Sequence, residues 1–219
     1  MQGSAATGPG RRARLTGLYA IVGGQDPIAQ GESVLAGGAS VVQVRMKGAR
    51  PAEVLEVSRR LVSLAVGHAL VIVDDRADLA LLSGADGVHV GEDDLPVAEA
   101  RRLLGPDRLV GWTARTVEEA RAGILAGADH VGFGPVFASR TKAMGPPPLG
   151  IAGLAAAVRA LPVPVVAISG IDETSIADVA RTGAACAAVI EALFGSGDPR
   201  QNAMALARAF EAGRPGRTG

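Results

Sequence analysis

The stretch VVQVRMK, residues 41–47, alternates apolar and polar side chains, and its polar members could bind an anion. In an extended strand Gln43, Arg45 and Lys47 share one face, and the apolar residues between them share the other. A guanidinium on a buried face of a strand is strongly destabilising unless it is paired. The pattern therefore allows two interpretations: a structural ion pair with a carboxylate on a neighbouring strand, or a binding site for an anionic ligand.

Carboxylates follow two other apolar runs of the kind that form strands. Asp74 and Asp75 end the run LVIVDD, and Asp94 lies in GEDDLP, shortly after His89 in GVHVG. One aspartate at a strand end often caps the next helix, but two adjacent ones cannot both do so. Mg²⁺ commonly takes one or two protein carboxylates and completes its shell with phosphate oxygens and water. We therefore predict that Asp75 and Asp94 bind Mg²⁺ beside a diphosphate.

Hydroxyl, basic and glycine residues end three further apolar runs. Thr113 lies in LVGWTA, Ser139, Thr141 and Lys142 lie in GPVFASRTK, and Gly170 follows VPVVAIS. Gly170 would expose backbone N–H groups at the start of a helix, an arrangement that binds phosphate. The predicted site therefore combines a magnesium diphosphate with a separate phosphate.

The elements that must position these residues alternate along the chain. Strands are predicted at residues 18–22, 41–46, 70–75, 87–91, 109–114, 130–137, 163–169 and 186–191. Helix-length amphipathic runs lie between them, and Gly-Ala pairs recur before strands. Eight such units in about 200 residues predict a single-domain α/β protein, a (β/α)₈ TIM barrel. An open doubly wound sheet is the alternative, but none of the eight runs is protected as an edge strand.

The composition limits the class of partner. The chain has 219 residues, with 22 basic and 22 acidic side chains. We predict disordered tails at 1–14 and 213–219 around a barrel at 15–212. Without the five arginines of these tails, the body carries 17 basic and 22 acidic residues. An acidic body argues against a nucleic-acid surface.

The number of cysteines and the lengths of the apolar runs indicate the cellular compartment of the protein. Cys186 is the only cysteine, which excludes an intrachain disulfide and favours a cytoplasmic protein. No apolar run approaches the ~18 residues of a membrane span, and residues 1–14 lack the apolar segment of a secretory signal. We therefore expect small-molecule substrates and neither nucleic acid nor membrane as a partner. A homo-oligomer is compatible with the sequence.

Five ordered motifs resemble the thiamine-phosphate synthase family over residues 17–200. They are Gln-x-Arg-x-Lys at 43–47, Asp-Asp-Arg at 74–76, GVHVGEDDLP at 87–96, GPVFASRTK at 134–142 and, counted together as the fifth, the PPPLG and VAISGI segments that follow. The resemblance implies a transferase of thiamine biosynthesis. In its reaction, 4-amino-5-hydroxymethyl-2-methylpyrimidine diphosphate loses pyrophosphate. The nitrogen of 4-methyl-5-(2-phosphoethyl)thiazole takes its place, which gives thiamine monophosphate.

The resemblance also implies roles for individual residues. Those implied for catalysis are Arg45, Lys142 and Thr113; those for substrate binding are Gln43, Lys47, Asp74, His89, Ser139, Thr141, Gly170, Ile190 and Glu191; those for Mg²⁺ are Asp75 and Asp94. The pyrimidine can stabilise a cationic methylene, so loss of pyrophosphate would be dissociative. Stabilising the leaving group is then the main demand on the protein. No side-chain nucleophile is required.

The chain departs from the family pattern at some of these positions. Asp74 stands where the family has Asn, and Glu191 where it usually has Ser, so each places a negative charge beside a predicted phosphate site. These residues motivate one alternative, a non-catalytic binding or regulatory homologue that holds a thiamine precursor or product. A thiazole tautomerase is another, although that branch lacks the metal carboxylates and has a histidine where this chain has Arg115. A third is an unrelated phosphate-binding barrel such as a phosphosugar isomerase.

Overall fold

The computed structural model describes residues 8–138 and 147–216. Within them, eight parallel strands close into a barrel in sequential order. The strands are β1 (Gly17–Val22), β2 (Val41–Val44), β3 (Leu70–Asp74), β4 (Gly87–Val90), β5 (Leu109–Ala114), β6 (His130–Phe133), β7 (Val165–Ala167) and β8 (Cys186–Val189). The barrel closes where β8 pairs with β1. The predicted single-domain TIM barrel is therefore confirmed.

Helices surround the barrel and return the chain between strands. They are α1 (Gly8–Ala13), α2 (Pro27–Ala36), α3 (Pro51–Ala65), α4 (Ala77–Ser83), α5 (Val97–Leu104), α6 (Val117–Leu125), α7 (Gly150–Ala160), α8 (Ile176–Arg181), α9 (Glu191–Phe194) and α10 (Pro199–Gly213). Because all strands are parallel, their carboxyl ends meet at one rim, called the mouth below. Their amino ends meet at the opposite rim, called the amino rim. Among the described residues, no helix is long and apolar enough to cross a membrane.

Two apolar layers hold the barrel together. The smaller layer consists of Leu15, Tyr19, Val41, Leu70, Ile72, Leu109, Val166, Cys186 and Ala188. Along the strands its members alternate with those of the larger layer, such as Val42, Val71 and Val110. The smaller layer therefore fills the barrel interior, and the larger one packs between strands and helices. Burial on both faces explains why the strands are nearly continuous apolar runs.

The interior becomes polar toward the mouth because a glycine leaves room for two imidazoles. A Cβ atom on Gly111 would lie 2.3 Å from His130 Nε2 and 2.4 Å from His89 Nδ1. The two ring centroids are 5.6 Å apart. No larger residue at position 111 would leave both rings where they are.

Several element boundaries differ from the predictions. β2 ends at Val44 and β6 at Phe133, earlier than predicted, so Arg45 follows its strand and does not lie within it. The short helix α9 is absent from the predicted elements. α10 ends at Gly213, one residue beyond the predicted barrel boundary.

The prediction of a disordered tail is wrong for residues 8–14, which contain α1. Arg11 Nε lies 2.8 Å from Asp86 Oδ1, and its Nη1 donates to the carbonyl of Asp107 at 2.7 Å. Arg14 donates to the carbonyl of Ala69 at 3.3 Å. The basic run therefore binds acceptors at the amino rim, and its composition alone did not reveal them. In the predicted tail at 213–219, Gly213 ends α10 and Arg214 donates to Thr16 Oγ1 at 2.6 Å. Residues 1–7 and 217–219 lie outside the described residues.

Candidate active site

Arg45 is paired with a carboxylate at the mouth. β2 and β3 are in register at Gln43 and Ile72, which brings Arg45 beside Asp74. Arg45 Nη1 lies 2.6 Å from Asp74 Oδ2, and Gln43 Nε2 donates to Asp74 Oδ1 at 3.2 Å. The side chain of Asp74 is 11% exposed and that of Arg45 36%. Arg45, just after β2, therefore forms an ion pair with a carboxylate of the neighbouring strand, and the pair lies where a ligand could reach it.

A second charged group adjoins this pair. Lys47 hydrogen-bonds to Asp75, and its Nζ lies 3.7 Å from Asp74 Oδ2. Asp75 has a left-handed backbone with φ of 61°, which aspartate tolerates better than most residues. Its carboxyl lies within hydrogen-bonding reach of Asp94, which accepts from the Gly91 N–H at 2.8 Å. The two predicted metal ligands therefore come together from separate loops.

Crowding shifts the pKa values of these carboxyls. Burial raises the pKa of Asp74 to about 6, although Arg45 opposes the shift. Burial also raises the pKa of Asp94; the Gly91 N–H opposes this and Asp75 adds to it. For Asp75 burial acts in the same direction, but hydrogen bonds with Lys47 and Asp94 outweigh it and lower the pKa. Asp75 is therefore the ionised member of its pair, and Asp94 takes a proton more readily.

The donor set at Asp75 and Asp94 fits a hard divalent cation. Two carboxyls this close repel each other unless a proton or a cation lies between them. In residues 8–138 and 147–216, no group of three or more His, Cys, Asp and Glu side chains could hold a metal ion. The described part of the chain would therefore supply two carboxylates only, as is usual for Mg²⁺ that is also bound by phosphate and water. A cavity of about 480 Å³ adjoins both residues, and Asp93, Leu95 and Leu103 also line it.

His89 and Thr113 lie together below the charged group. His89 Nε2 lies 2.8 Å from Thr113 Oγ1, so the two side chains share a hydrogen bond between β4 and β5. Burial lowers the pKa of His89 to about 4, against the effect of Asp75. The imidazole is therefore neutral at pH 7, and it can orient the threonine hydroxyl without adding charge to the site.

His130 supports this arrangement, and the sequence reasoning missed it. It is fully buried in the barrel beside His89, and neither ring nitrogen has a hydrogen-bond partner among the described residues. Burial lowers its pKa to about 3. The available signal is a histidine that opens the apolar run HVGF, opposite Gly111 on the neighbouring strand.

The other side of the mouth forms a cavity of about 730 Å³. Gly170, Ile190 and Glu191, which were predicted to bind the second phosphate, line it together with Arg45. The structure therefore places Gly170, Ile190 and Glu191 at the same mouth as Arg45 and Asp74. Arg45 borders this cavity and also faces Asp74, so it lies between the two sides.

The loop after β7 differs from the prediction in one detail. α8 begins at Ile176, so Gly170 lies in a loop and not at a helix start. Asp172 accepts the N–H of Ser175 at 3.1 Å, and this turn precedes the helix. Gly170 has φ of 68°, and a Cβ there would lie 2.6 Å from the carbonyl oxygen of Ala138. Glycine is needed here for both backbone conformation and space.

Ser139, Thr141 and Lys142 lie outside the described residues. The segment that leads to them is described, and Phe137 N–H donates to the carbonyl of Ser169 at 3.2 Å. The loop after β6 therefore leaves the barrel beside the loop after β7, on the side of the larger cavity.

A closed barrel of eight parallel strands, with carboxyls, an arginine and a lysine gathered at the carboxyl ends, defines a (β/α)₈-barrel protein whose mouth is suited to anionic ligands. Within that class, the family model described as thiamine monophosphate synthase matches residues 18–193. The chain belongs to this family.

Two relatives and one solved structure agree with this assignment. The chain is 63% identical over 213 residues to the thiamine-phosphate synthase of Anaeromyxobacter dehalogenans (strain 2CP-C), covering 97% of this chain and 96% of that protein. It is 50% identical over 184 residues to that of Myxococcus xanthus (strain DK1622), covering 84% of each. The structure of thiamine phosphate pyrophosphorylase from Pyrococcus furiosus matches with a TM-score of 0.84 and 33% identity, over 93% of this chain and 98% of that one. The resemblance seen in the five motifs is confirmed.

Proposed function

We propose that this chain is a thiamine-phosphate synthase, which joins the pyrimidine diphosphate and the thiazole phosphate named above into thiamine monophosphate and pyrophosphate. One observation carries the proposal. Arg45, Lys47, Asp75 and Asp94 gather at a single mouth in a chain that matches this family over residues 18–193.

The charged side of the mouth is the proposed site of the diphosphate. Arg45 and Lys47 would donate to its oxygens, with Lys142 contributing from the loop after β6. Asp75 and Asp94 would hold Mg²⁺, which when bound neutralises the diphosphate and assists its departure. Ser139 and Thr141 are proposed to supply hydroxyl donors from the same loop as Lys142.

The pyrimidine would lie deeper, against the polar part of the barrel interior. Gln43 can donate to a ring nitrogen when it leaves Asp74, and His89 presents a neutral imidazole beside it. Thr113 is held by its hydrogen bond to His89, which fixes its hydroxyl near the charged group. These side chains orient the methylene carbon between the diphosphate and the larger cavity.

The chemistry demands stabilisation of a leaving anion. The bond between the methylene carbon and the diphosphate oxygen breaks, and both electrons leave with the diphosphate. Donors already in place at the mouth lower the energy of that charge. The lone pair of the thiazole nitrogen then forms the new carbon–nitrogen bond, so no side-chain nucleophile is used. Cys186 could not serve as one, because it is fully buried and burial raises the pKa of its thiol.

The cavity of about 730 Å³ is the proposed site of the thiazole phosphate. Backbone N–H groups of the loop at Gly170 and of residues 190–191 would bind the phosphate, since loops after the last two strands are the usual phosphate position in this fold. The side chain of Glu191 is exposed, so water and salt screen its charge from that phosphate.

We also propose that the protein works in the cytoplasm on small phosphorylated molecules. Such anions do not enter an apolar membrane, because burying their charge is too costly. The only cysteine, Cys186, is buried and free, which is typical of a reducing compartment. A homo-oligomer stays a prediction that size-exclusion chromatography with light scattering would test.

The direct test is an assay of purified protein with both substrates and Mg²⁺. We expect thiamine monophosphate and pyrophosphate in equal amounts, and we expect EDTA to abolish turnover and added Mg²⁺ to restore it. Binding of both substrates without product would support the regulatory alternative that Asp74 and Glu191 motivate. Isomerisation of a thiazole substrate alone would support a tautomerase. Either of these outcomes would reject the proposal.

A further inference from the structure

Asp74 accepts contacts from three side chains that the proposed function assigns to the pyrimidine diphosphate. Arg45 Nη1 lies 2.6 Å from Oδ2, Gln43 Nε2 lies 3.2 Å from Oδ1, and Lys47 Nζ lies 3.7 Å from Oδ2. All three lie on or just after β2, the strand beside β3. The carboxyl of Asp74 therefore occupies Arg45, a donor that the diphosphate would need, and Gln43, a donor that the pyrimidine would need. Lys47 bonds to Asp75 and lies close to Asp74.

Arg45 borders two proposed anion sites. It faces Asp74 on the charged side of the mouth, and it also lines the cavity of about 730 Å³. That cavity is the proposed site of a second phosphorylated substrate. A guanidinium that was free to move could bind either phosphate, because it presents five N–H donors in a fixed fork. Selective binding of two phosphorylated molecules at one mouth therefore requires a protein group that holds Arg45 on one side.

We propose that Asp74 is a specificity-determining residue: it holds Arg45 on the charged side and acts as an internal competitor for monophosphate anions. The proposal rests on the proposed function for the identity of the two substrates. A monophosphate that approaches Arg45 meets the carboxyls of Asp74, Asp75 and Asp94. A diphosphate offers more oxygens, and it can arrive with a divalent cation that neutralises Asp75 and Asp94. Only the diphosphate then displaces Asp74.

The test is calorimetric titration with inorganic phosphate in the absence of added divalent cations. The variant is Asp74→Asn, which keeps the size of the side chain and an oxygen that can accept from Arg45. We expect phosphate to bind Asp74→Asn about tenfold more tightly than the wild type, because one close negative charge has gone. The matched control is Asp93→Asn, which removes an exposed charge from the same mouth and has no contact with Arg45. We expect it to change phosphate affinity less than twofold.

Steady-state kinetics provide a second readout. In Asp74→Asn, thiazole phosphate should become a competitive inhibitor against the pyrimidine diphosphate, whereas in the wild type it should act only as a substrate. Unchanged phosphate affinity in Asp74→Asn, or equal tightening in Asp93→Asn, would overturn the proposal. A fall in kcat of tenfold or more without tighter phosphate binding would also overturn it, because Asp74 would then act by orienting Arg45.

The two proposals can fail separately. If the wild type makes thiamine monophosphate but Asp74→Asn does not bind phosphate more tightly, the role of Asp74 is rejected and the synthase is kept. If Asp74→Asn binds phosphate more tightly but the wild type makes no thiamine monophosphate, the role of Asp74 is kept and the synthase is rejected. Thermal melts of each variant check folding, and Asp74→Ser, which also lacks the charge, would be titrated in the same way if Asp74→Asn did not fold.

Discussion

The two rims of the barrel use the same charged residue types differently. At the amino rim, Asp129 pairs with Arg101 and accepts the N–H of Val110 at 2.9 Å. Asp86 likewise pairs with Arg11, and it accepts a backbone N–H from the preceding strand at 2.9 Å. Each of these carboxylates has one arginine and one backbone donor, and each joins the start of one strand to the strand before it.

At the mouth the carboxyls share their partners. Asp74 and Asp75 both contact Lys47, and Asp75 also lies against Asp94. Among the described residues, three carboxyls therefore face two cations at the mouth, and the pKa of Asp74 and that of Asp94 are raised. Complete pairing at the amino rim stabilises the chain, whereas incomplete pairing at the mouth leaves charge that a ligand and its cation can complete.

Loss of Asp75 should abolish turnover and spare stability. We expect Asp75→Ala to lower kcat/KM by about a thousandfold, roughly 4 kcal/mol of transition-state stabilisation. The melting temperature should stay close to that of the wild type, because the removed carboxyl has a like-charged neighbour. The control is Asp78→Ala, which removes a half-exposed partner of Arg76 and should keep most activity. Strong unfolding of Asp75→Ala would show that the mouth is paired for stability too. We expect Lys142→Ala to behave as Asp75→Ala does.

Loss of Asp129 should have the opposite effect. Asp129→Ala removes the carboxylate that pairs with Arg101, which keeps its hydrogen bonds to backbone carbonyls, and it leaves a buried strand N–H without its acceptor. We expect the free energy of unfolding to fall by about 2–3 kcal/mol. Chemical denaturation measures this change, and kcat of the folded fraction should be unaltered. Glu99→Ala breaks an exposed pair with Arg102 and should change stability by less than about 0.5 kcal/mol. Similar losses in the two variants would remove the basis of the contrast.

The interior histidines should make the barrel sensitive to acid. The pKa of folded His130 is about 3, whereas that of an unfolded histidine is about 6.5. Between these values the unfolded chain binds a proton that the folded protein does not, so stability falls as pH decreases. Between pH 6.5 and 5, we expect His130 alone to account for about 2 kcal/mol of lost stability.

Urea denaturation at pH 7 and pH 5 measures this loss. In His130→Leu, which has a similar volume and cannot take a proton, the difference between the two pH values should shrink by that amount. An unchanged difference would show that protonation elsewhere, such as at the mouth, controls acid stability.

The smallest effect is expected at α1. Arg11→Ala removes the ion pair with Asp86 and the hydrogen bond to the carbonyl of Asp107, and we expect a loss of about 1 kcal/mol. Differential scanning calorimetry would detect the corresponding shift of a few degrees. A loss as large as that of Asp129→Ala would mean that α1 is as important to the amino rim as the strand junctions are.

The fold could be predicted from sequence because its signals are local. Short apolar runs, Gly-Ala pairs before strands and alternating helices specify a parallel barrel without knowledge of any contact. The predicted strand ends then indicated which residues share the mouth, so the meeting of Asp75 with Asp94 could be predicted. The hydrogen bond between His89 and Thr113 was not predicted.

Contacts that depend on three-dimensional competition could not be predicted. The sequence left open whether Arg45 pairs with a carboxylate, because that depends on the register of β2 with β3. It gave no reason to place Arg11 against Asp86, which is 75 residues away. His130 was overlooked because a histidine inside an apolar strand is costly unless a glycine opposite it, Gly111, makes space.

The hydrogen bond from Arg214 Nη1 to Thr16 Oγ1 at 2.6 Å has a practical consequence. Thr16 immediately precedes β1, so the last described turn of the chain is held at the rim farthest from the mouth, near α1. Attachment of a carrier domain or a solid support to either described end would leave the substrate entrance unobstructed. Such conjugates should differ from the unmodified protein in size alone and not in catalytic constants.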